Sequence, residues 1–273
     1  MILLKLFVLF YTCYGTSGDL KQDLDTAWAE FDKHLKHDHS QFIGYYEGMG
    51  DDMDMHSKIK RQYLSSINNI RNWHGVEPLK QNNELDVFAQ SCANYEARIE
   101  RPGPFNSVFG LLFSSHNTLY SNDLGKKLPY RIYGYADNED KPFDFEANED
   151  EMIKNEEYSL RHRHSTSIIW KSSINIGIGV AKSKETVIDG KKIDLPSYVI
   201  VALIHPKPHV LGKYKENITP RNLEIMKHDG YFEFIQEDKK RNKNVIKYEL
   251  QSYVKKLAES SSKINVSLEK KEN

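Results

Sequence analysis

The sequence predicts an α+β sandwich, in which helices come first along the chain and a small antiparallel sheet follows. Apolar residues recur at helical spacing over residues 58–75 and again over residues 83–99. Two later runs, 174–181 and 198–204, are short and rich in β-branched residues, which is typical of strands. The 273 residues, 39% of them hydrophobic, can bury one full core, so we expect one domain with appendages.

The two leading helices have clear boundary signals. Gly75 lies where the C-terminal cap of the first helix belongs, and Pro78 cannot continue that helix. Asn83 is a typical N-cap for the second, and Glu84 and Asp86 in its first turn oppose the helix dipole. We therefore expect two packed helices at the start of the domain.

The middle of the chain gives weaker patterns. Residues 105–120 show no clear periodicity after a Pro-Gly-Pro interruption, which predicts a long loop or an insertion. A third helix is expected across residues 145–158 and a short strand across 167–170. An Asp-Gly turn within residues 186–193 predicts a β-hairpin between the two main strands.

The first 18 residues have the layout of a secretory signal peptide: an apolar run with one lysine, followed by small residues. Cleavage after Gly18 would make Asp19 the first residue of a secreted, extracellular chain. An uncleaved membrane anchor is the alternative. The apolar run is shorter than the about 20 residues that a membrane span needs, so no stable membrane span is expected.

The charge and the cysteine content of the chain argue against nucleic acid binding and against disulfides. The formal net charge is -1, and neither the acidic block at 137–157 nor the tail at 221–273 is basic enough to indicate nucleic acid binding. Removal of the signal peptide leaves Cys92 as the one cysteine, so no disulfide within the chain is expected. Cys92 lies on an apolar helical face, which predicts a small buried hydrophobe rather than a reactive thiol.

The two ends of the mature chain differ from its middle. Residues 19–57 predict a helical N-terminal extension, whose histidines at 34, 37 and 39 are expected on a solvated helix face rather than around a metal. Residues 221–273 predict a helical, partly disordered tail, with apolar residues at helical spacing over 246–257. The domain itself is expected at 58–220.

Three blocks of residues, in the same order, resemble a known family. The residues of the first block that match are Asn68, Arg71, His74, Gly75, Pro78 and Leu79. The second block reads His-x-Thr-x-x-x-Trp from His164 to Trp170, with Gly177 and Gly179 after it. The third comprises residues 198–206 and a Glu-Asn-Ile ending at 216–218. Together they resemble the CAP superfamily, whose SCP/TAPS domain occurs in cysteine-rich secretory, antigen 5, pathogenesis-related and venom allergen-like proteins.

The resemblance implies an α-β-α sandwich with a small antiparallel sheet between helices. It also implies a cleft with two histidines and two acidic residues, a set that can hold a divalent ion such as zinc. Residue by residue, the implied metal ligands are His116, His164 and Glu151. His116 fits only if residues 102–113 are an insertion, and Tyr135 would stand in place of the first glutamate. The alternative for His164 is a structural histidine beside the sheet.

For function, the resemblance implies a secreted, venom allergen-like protein that binds a sterol, another lipid or an extracellular host protein. The residues show no serine or cysteine nucleophile motif, so catalysis is not the favoured interpretation. A metal-dependent hydrolase using His116, His164 and Glu151 is the alternative, and a docking helix at 246–257 is a third hypothesis. Two sequons predict N-glycosylation at Asn217 and Asn265, the first disfavoured by Pro220.

Overall fold

The structure is a computed structural model, and it describes residues 19–35, 53–99, 109–119, 123–136, 156–182, 186–188, 191–193, 197–210 and 212–241. The chain divides into two compact units, with the boundary between Asp229 and Gly230. The first unit contains the sheet and the candidate site. In the second unit, the described residues form one helix, Tyr231–Arg241. None of the helices within these ranges combines the length and the apolarity that a membrane crossing requires.

The first unit contains both helices and strands. Its described helices are α1 (Leu20–Leu35), α2 (Met53–Trp73), α3 (Asn83–Ile99), α4 (Leu124–Ala136), α5 (Glu156–Ile168), α6 (Tyr214–Asn217) and α7 (Leu223–His228). Its described strands are β1 (Lys80–Gln81), β2 (Gly110–Leu119), β3 (Asn175–Lys182), β4 (Thr186–Ile188), β5 (Lys191–Ile193) and β6 (Ser197–His205). The α+β fold class is confirmed, as are the two leading helices.

The main sheet has four strands in the order β1-β3-β6-β2. Strand β6 is antiparallel to both β3 and β2. Strand β1 lies at the edge of the sheet beside β3 and forms a short parallel pair with it. Every residue of β6 is buried, which is typical of a strand covered on both faces. Strands β4 and β5 form a separate hairpin. The predicted strands at 174–181 and 198–204 and the predicted hairpin are therefore confirmed.

Two glycines let helix α3 lie directly on strand β3. A Cβ atom at Gly177 would lie 2.3 Å from the carbonyl oxygen of Leu85, and one at Gly179 would lie 2.1 Å from that of Ala89. Both distances are far below van der Waals contact, so only glycine allows the helix and strand backbones to approach so closely. This explains why the strand carries glycine at alternate positions.

Side chains of α3 also bond to the backbone of β3. Strand β1 pairs with β3 only at residues 175 and 176. Farther along β3, the amide of Ile178 donates to Asp86 Oδ1 at 2.6 Å, and the amide of Val180 donates to Gln90 Oε1 at 3.1 Å. Gln90 Nε2 in turn donates to the carbonyl oxygen of Val180 at 2.6 Å. The helix thus takes over the hydrogen bonds that a longer neighbouring strand would make.

Helix α1 packs into the hydrophobic core of the first unit. Leu24, Ala27 and Phe31 join the α3 residues around Phe88 in one buried cluster, with the Phe31 and Phe88 rings 6.1 Å apart. Cys92 is a fully buried member of the same cluster, and burial raises the pKa of its thiol well above the ordinary value. The prediction that Cys92 is a small buried hydrophobe is confirmed.

Two local predictions are wrong. Residues 167 and 168 end helix α5 instead of forming a strand. The apolar residues 168–170 are all buried at the end of this helix and in the turn after it, so a strand is not needed to bury them. Residues 110–119 form strand β2 rather than a loop. Two register shifts against β6 interrupt the alternation of β2, and this removes the period-2 pattern from the sequence.

Other predictions lie partly outside the described residues. The helix predicted at 145–158 is described only from residue 156, where α5 begins. The signal peptide, the histidines at 37 and 39, and the helix predicted at 246–257 all lie outside the described ranges. His34 is described, and its Nε2 atom lies 2.9 Å from the hydroxyl of Tyr95 on α3.

Candidate functional site

Helix α5 carries the predicted site residue His164 on a buried polar face. His164 is only 9% exposed, and the three hydroxyl residues that follow it are buried as well. The hydroxyls of Ser165 and Thr166 donate to the carbonyl oxygen of His162 at 2.9 and 2.7 Å, and that of Ser167 donates to the carbonyl oxygen of Arg163 at 2.8 Å. The helix therefore satisfies its own hydroxyl hydrogens through its backbone.

His209, in the loop after β6, lies against this face of α5. Its Nε2 atom is 3.0 Å from Thr166 Oγ1 and 3.3 Å from Ser167 Oγ. Because both hydroxyl hydrogens already point to backbone carbonyls, the hydroxyl oxygens act as acceptors here. The tautomer of His209 that carries its hydrogen on Nε2 can donate to these oxygens, and the carbonyl of Arg163 is a further acceptor for the ring.

The backbone and two aromatic rings hold His209 in place. Its φ of 66° lies in the left-handed region, which costs free energy for a residue with a side chain. The imidazole stacks on Tyr214 with ring centroids 5.7 Å apart and an interplanar angle of 14°. Trp170 meets the edge of both rings, at 5.7 Å from His209 and 5.0 Å from Tyr214. The ring of His209 is thus fixed from several sides.

Basic residues of helix α5 and of the loop after β6 act on one another electrostatically. Burial lowers the pKa of His209 well below its ordinary value, and the positive field of Arg163, His164 and Lys207 lowers it further. The pKa of Lys207 is lowered to about 8, first by burial and then by Arg163, whereas Glu30 of α1 acts in the opposite direction. We call Arg163, His164, Lys207 and His209 the basic cluster. At neutral pH His209 in this cluster is neutral.

The three implied metal ligands have different places in the structure. His164 belongs to the basic cluster. His116 lies on β2, at the register shift between Ser115 and Thr118, and helix α5 contacts this strand. Glu151 lies outside the described residues. Zinc binding by these three residues therefore stays a prediction.

The described surroundings of His164 do not favour a cation. Within the ranges that the structure covers, no group of three or more histidine, cysteine, aspartate or glutamate side chains is placed to hold a metal ion. Arg163 and Lys207 add positive charge beside His164, which opposes a divalent ion by simple repulsion. Tyr135, which would replace the first glutamate, belongs to helix α4. In the resemblance, Glu151 would supply the carboxylate.

A second polar centre joins α2 to the closing segment. His74 Nδ1 contacts the carbonyl oxygen of Thr219 at 2.5 Å, and its Nε2 lies 2.7 Å from the hydroxyl of Tyr133 on α4. Burial lowers the pKa of His74 to about 4, so the ring is neutral and donates to Thr219 while it accepts from Tyr133. With Tyr133 only 3% and His74 5% exposed, this centre is structural.

The two predicted glycosylation sites also differ in position. Asn217 is buried, its Nδ2 donates to the carbonyl oxygen of Lys213 at 2.8 Å, and its Oδ1 accepts from the amide of Ser172 at 2.8 Å. Because Asn217 is buried in the folded chain, attachment of a glycan to Nδ2 would be expected before this segment folds. Asn265 lies outside the described residues. Glycosylation at both sites stays a prediction.

The sequence alone does not reveal the role of His209. No periodicity or motif marks it, because its partners Thr166 and Ser167 lie 43 and 42 residues earlier in the chain. The Tyr214 ring that stacks on it begins the short helix α6. Only the folded arrangement brings these groups to His164.

The chain was also compared with known proteins. The family model of the cysteine-rich secretory protein family, CAP, matches residues 64–188. No curated protein matches the chain. The matched range contains the C-terminal part of α2, all of α3, the His164 to Trp170 block and the glycine strand β3. The order of these elements agrees with the family match, which supports a member of the CAP superfamily.

Proposed function

We propose that this chain is a secreted CAP protein that acts by binding a sterol, another lipid or an extracellular host protein, in the manner of a venom allergen-like protein. The observation that supports it best is that the hydroxyls beside His209 donate to the backbone of their own helix. In hydroxyl–imidazole catalysis the hydroxyl donates to the imidazole, which then takes its proton. Here the hydroxyls of Thr166 and Ser167 donate to backbone carbonyl oxygens of α5. This arrangement supports a role in shaping a surface rather than in activating a nucleophile.

A thiol and a tyrosine hydroxyl, which could also be reactive, lie in buried surroundings. The Cys92 thiol is fully buried, and its raised pKa disfavours the thiolate that nucleophilic chemistry needs. Tyr133 does donate to His74, but both are buried among α2, α4 and the closing segment. The basic cluster lies nearer the surface, since its residues Arg163, Lys207 and His209 are half-buried. That pattern favours recognition of a ligand.

The proposal of secretion rests on the leading 18 residues and on the family. Those residues have the pattern of a signal peptide, and CAP proteins are typically secreted. We expect cells that express the full chain to export a protein whose N-terminal residue is Asp19.

Binding can be measured with the exported chain and a fluorescent sterol or fatty acid at submicellar concentration. We expect saturable binding that the unlabelled lipid displaces. A matched control is Leu223→Ser, since Leu223 is an exposed apolar residue that should matter only for non-specific adsorption. Signals that never saturate, or that vanish in the Leu223→Ser variant, would contradict lipid binding. Cross-linking to extracellular host proteins then tests the protein-binding form of the proposal.

A second candidate is a metal-dependent hydrolase that uses His116, His164 and Glu151. The observation that favours it is the contact between α5, which carries His164, and β2, which carries His116. If it is correct, His164→Ala lowers both the zinc content of the purified chain and any peptidase or esterase activity, because one imidazole ligand is lost. The control is His228→Ala, since His228 is exposed on α7. Unchanged zinc content and activity in His164→Ala would exclude this candidate.

A further inference from the structure

We propose that helix α1 covers a binding site for a fatty acid and occupies that site as an internal mimic of the ligand. The carboxylate of the fatty acid would take the place of Asp23 beside His205, and its acyl chain would take the place of Phe31. The inference rests on the proposed binding function, of which it names the ligand class and the site.

The polar end of this site is the imidazole of His205, the last residue of β6. Its Nε2 atom lies 3.0 Å from Oδ2 of Asp23, and the two side chains are only 2% and 8% exposed. An ionised carboxylate accepts hydrogen bonds and cannot donate them, so Nε2 donates whenever Asp23 is ionised. A buried donor that bonds a carboxylate from another segment is equally suited to the carboxylate of a ligand.

A row of aromatic rings continues from His205 along the domain. The ring centroid of Phe109 lies 6.0 Å from that of His205, and the ring centroid of Phe88 on α3 lies 5.6 Å from that of Phe109. Tyr95, two turns farther along α3, ends the row. We call His205, Phe109, Phe88 and Tyr95 the aromatic row. The row has a polar imidazole at one end and an apolar surface beyond it.

Helix α1 lies along the aromatic row with a carboxylate at one end and an apolar stripe behind it. From Asp23, the helix continues to Phe31, whose ring centroid is 6.1 Å from that of Phe88 and 5.8 Å from that of Tyr95. Trp28 packs on Phe88 as well, with ring centroids 4.7 Å apart. The helix rises about 12 Å from Asp23 to Phe31, which is comparable to a medium-chain acyl group. A fatty acid has the same sequence of groups, a carboxylate and then an apolar chain.

The position of α1 in the chain allows a ligand to displace it. The helix lies outside residues 64–188, the range that the family model matches, whereas most of the aromatic row lies inside that range. Residues 36–52 join α1 to α2, and a tether of this length reaches up to about 55 Å when it is extended. A tethered helix competes with a free ligand at an effective concentration on the order of millimolar. Weakening the contacts of α1 should therefore strengthen ligand binding.

Isothermal titration calorimetry of the full exported chain with decanoate and decanol tests the polar end of the site. Decanoate should bind more tightly than decanol. Asp23→Ala should strengthen decanoate binding by about tenfold or more, because it removes the hydrogen bond that holds α1 over the site. Addition of His205→Leu to Asp23→Ala should weaken decanoate binding by about tenfold and leave decanol binding unchanged. His205→Gln in the same background retains a donor and should recover part of the decanoate affinity.

Tryptophan fluorescence reports whether α1 leaves the aromatic row. Of the three tryptophans in the chain, Trp73 and Trp170 are fully buried, whereas Trp28 is half-buried against Phe88. Saturating decanoate should shift the emission to longer wavelength, because Trp28 moves into water, and it should make α1 accessible to a protease. Trp28→Phe should abolish the shift in emission.

Asp25→Ala is the matched control, since Asp25 is exposed on the same helix, and it should bind decanoate as the unmodified chain does. If Asp23→Ala does not fold by circular dichroism, Asp23→Asn takes its place, with a smaller gain in affinity. Equal decanoate affinity in the Asp23 and Asp25 variants, or binding without a change in Trp28 emission, would overturn the inference while lipid binding stands. A chain that binds a sterol or a host protein but no decanoate would overturn it too, and a chain that binds none of them would also overturn the proposed function.

Discussion

Replacement of Arg71 by methionine is expected to lower the free energy of unfolding by about 4 kcal/mol or more. The guanidinium is fully buried on α2 and donates to four backbone carbonyl oxygens. The acceptors and distances are Glu77 at 2.6 Å, Ile168 at 2.8 Å, Trp170 at 3.0 Å and Ser173 at 3.0 Å. Methionine fills much of the volume but leaves all four acceptors without this donor.

The charge of Arg71 is compatible with its burial. Desolvation lowers the pKa of its guanidinium to about 10, which still leaves it protonated at neutral pH. Three of its acceptors belong to the end of α5 and the turn after it, so the side chain ties α2 to the segment that follows His164. We therefore expect the loss of Arg71 to disturb the basic cluster as well as the stability of the domain.

Urea denaturation followed by circular dichroism measures the effect. Arg61→Met is the control, since Arg61 is exposed on the same helix, and it should change stability by no more than about 0.5 kcal/mol. If Arg71→Met does not fold at all, Arg71→Lys provides a measurable intermediate, because an ammonium keeps the charge but cannot reproduce the planar fork. A wild-type unfolding midpoint in both Arg71 variants would refute this account.

Replacement of Asp23 by alanine is expected to cost about 3 kcal/mol of stability and to loosen helix α1. Asp23 Oδ2 lies 3.0 Å from Nε2 of His205, the last residue of β6, and both side chains are buried. Within the described part of the chain, Nδ1 of His205 has no hydrogen-bond partner. Alanine at position 23 would thus remove the one hydrogen bond that the structure gives to a buried imidazole.

Thermal unfolding and limited proteolysis report the two parts of this prediction. The melting temperature should fall, and a protease should remove α1 before it cuts the rest of the domain. Asp25→Ala is the matched control, because Asp25 is exposed on the same helix. Asp23→Asn keeps an acceptor oxygen and should recover part of the loss. Equal melting temperatures for Asp23→Ala and Asp25→Ala would show that the buried contact contributes nothing.

The elements that were predicted correctly are those whose pattern is local. Helices α2 and α3 combine regular apolar spacing with terminal caps, and β3 and β6 are runs of β-branched residues. Helix α4 was not predicted, since it contains Pro129 and glycines that normally argue against a helix. Gly125 is required there, because a Cβ atom would lie 2.2 Å from the carbonyl oxygen of Ile59 on α2. Contact with a distant helix outweighs local propensity at this point.

The sequence also predicts some residues of the candidate site and not others. His164 could be found because Thr166 and Trp170 give it a recognisable spacing in the chain. His209 and Lys207 could not be found, because their importance comes from a loop that folds back on α5. A sequence motif covers one continuous segment, whereas this site forms where two segments come together in the fold.

The side-chain bonds from α3 to β3 have a consequence for the protein at high concentration. Unpaired amides and carbonyls along a sheet edge can recruit a strand from another molecule and so begin aggregation. Asp86 and Gln90 already occupy the amides of Ile178 and Val180, and Gln90 also holds the carbonyl of Val180. An approaching strand would have to displace both side chains before it could add to this edge. The helix therefore protects the monomer against intermolecular sheet growth.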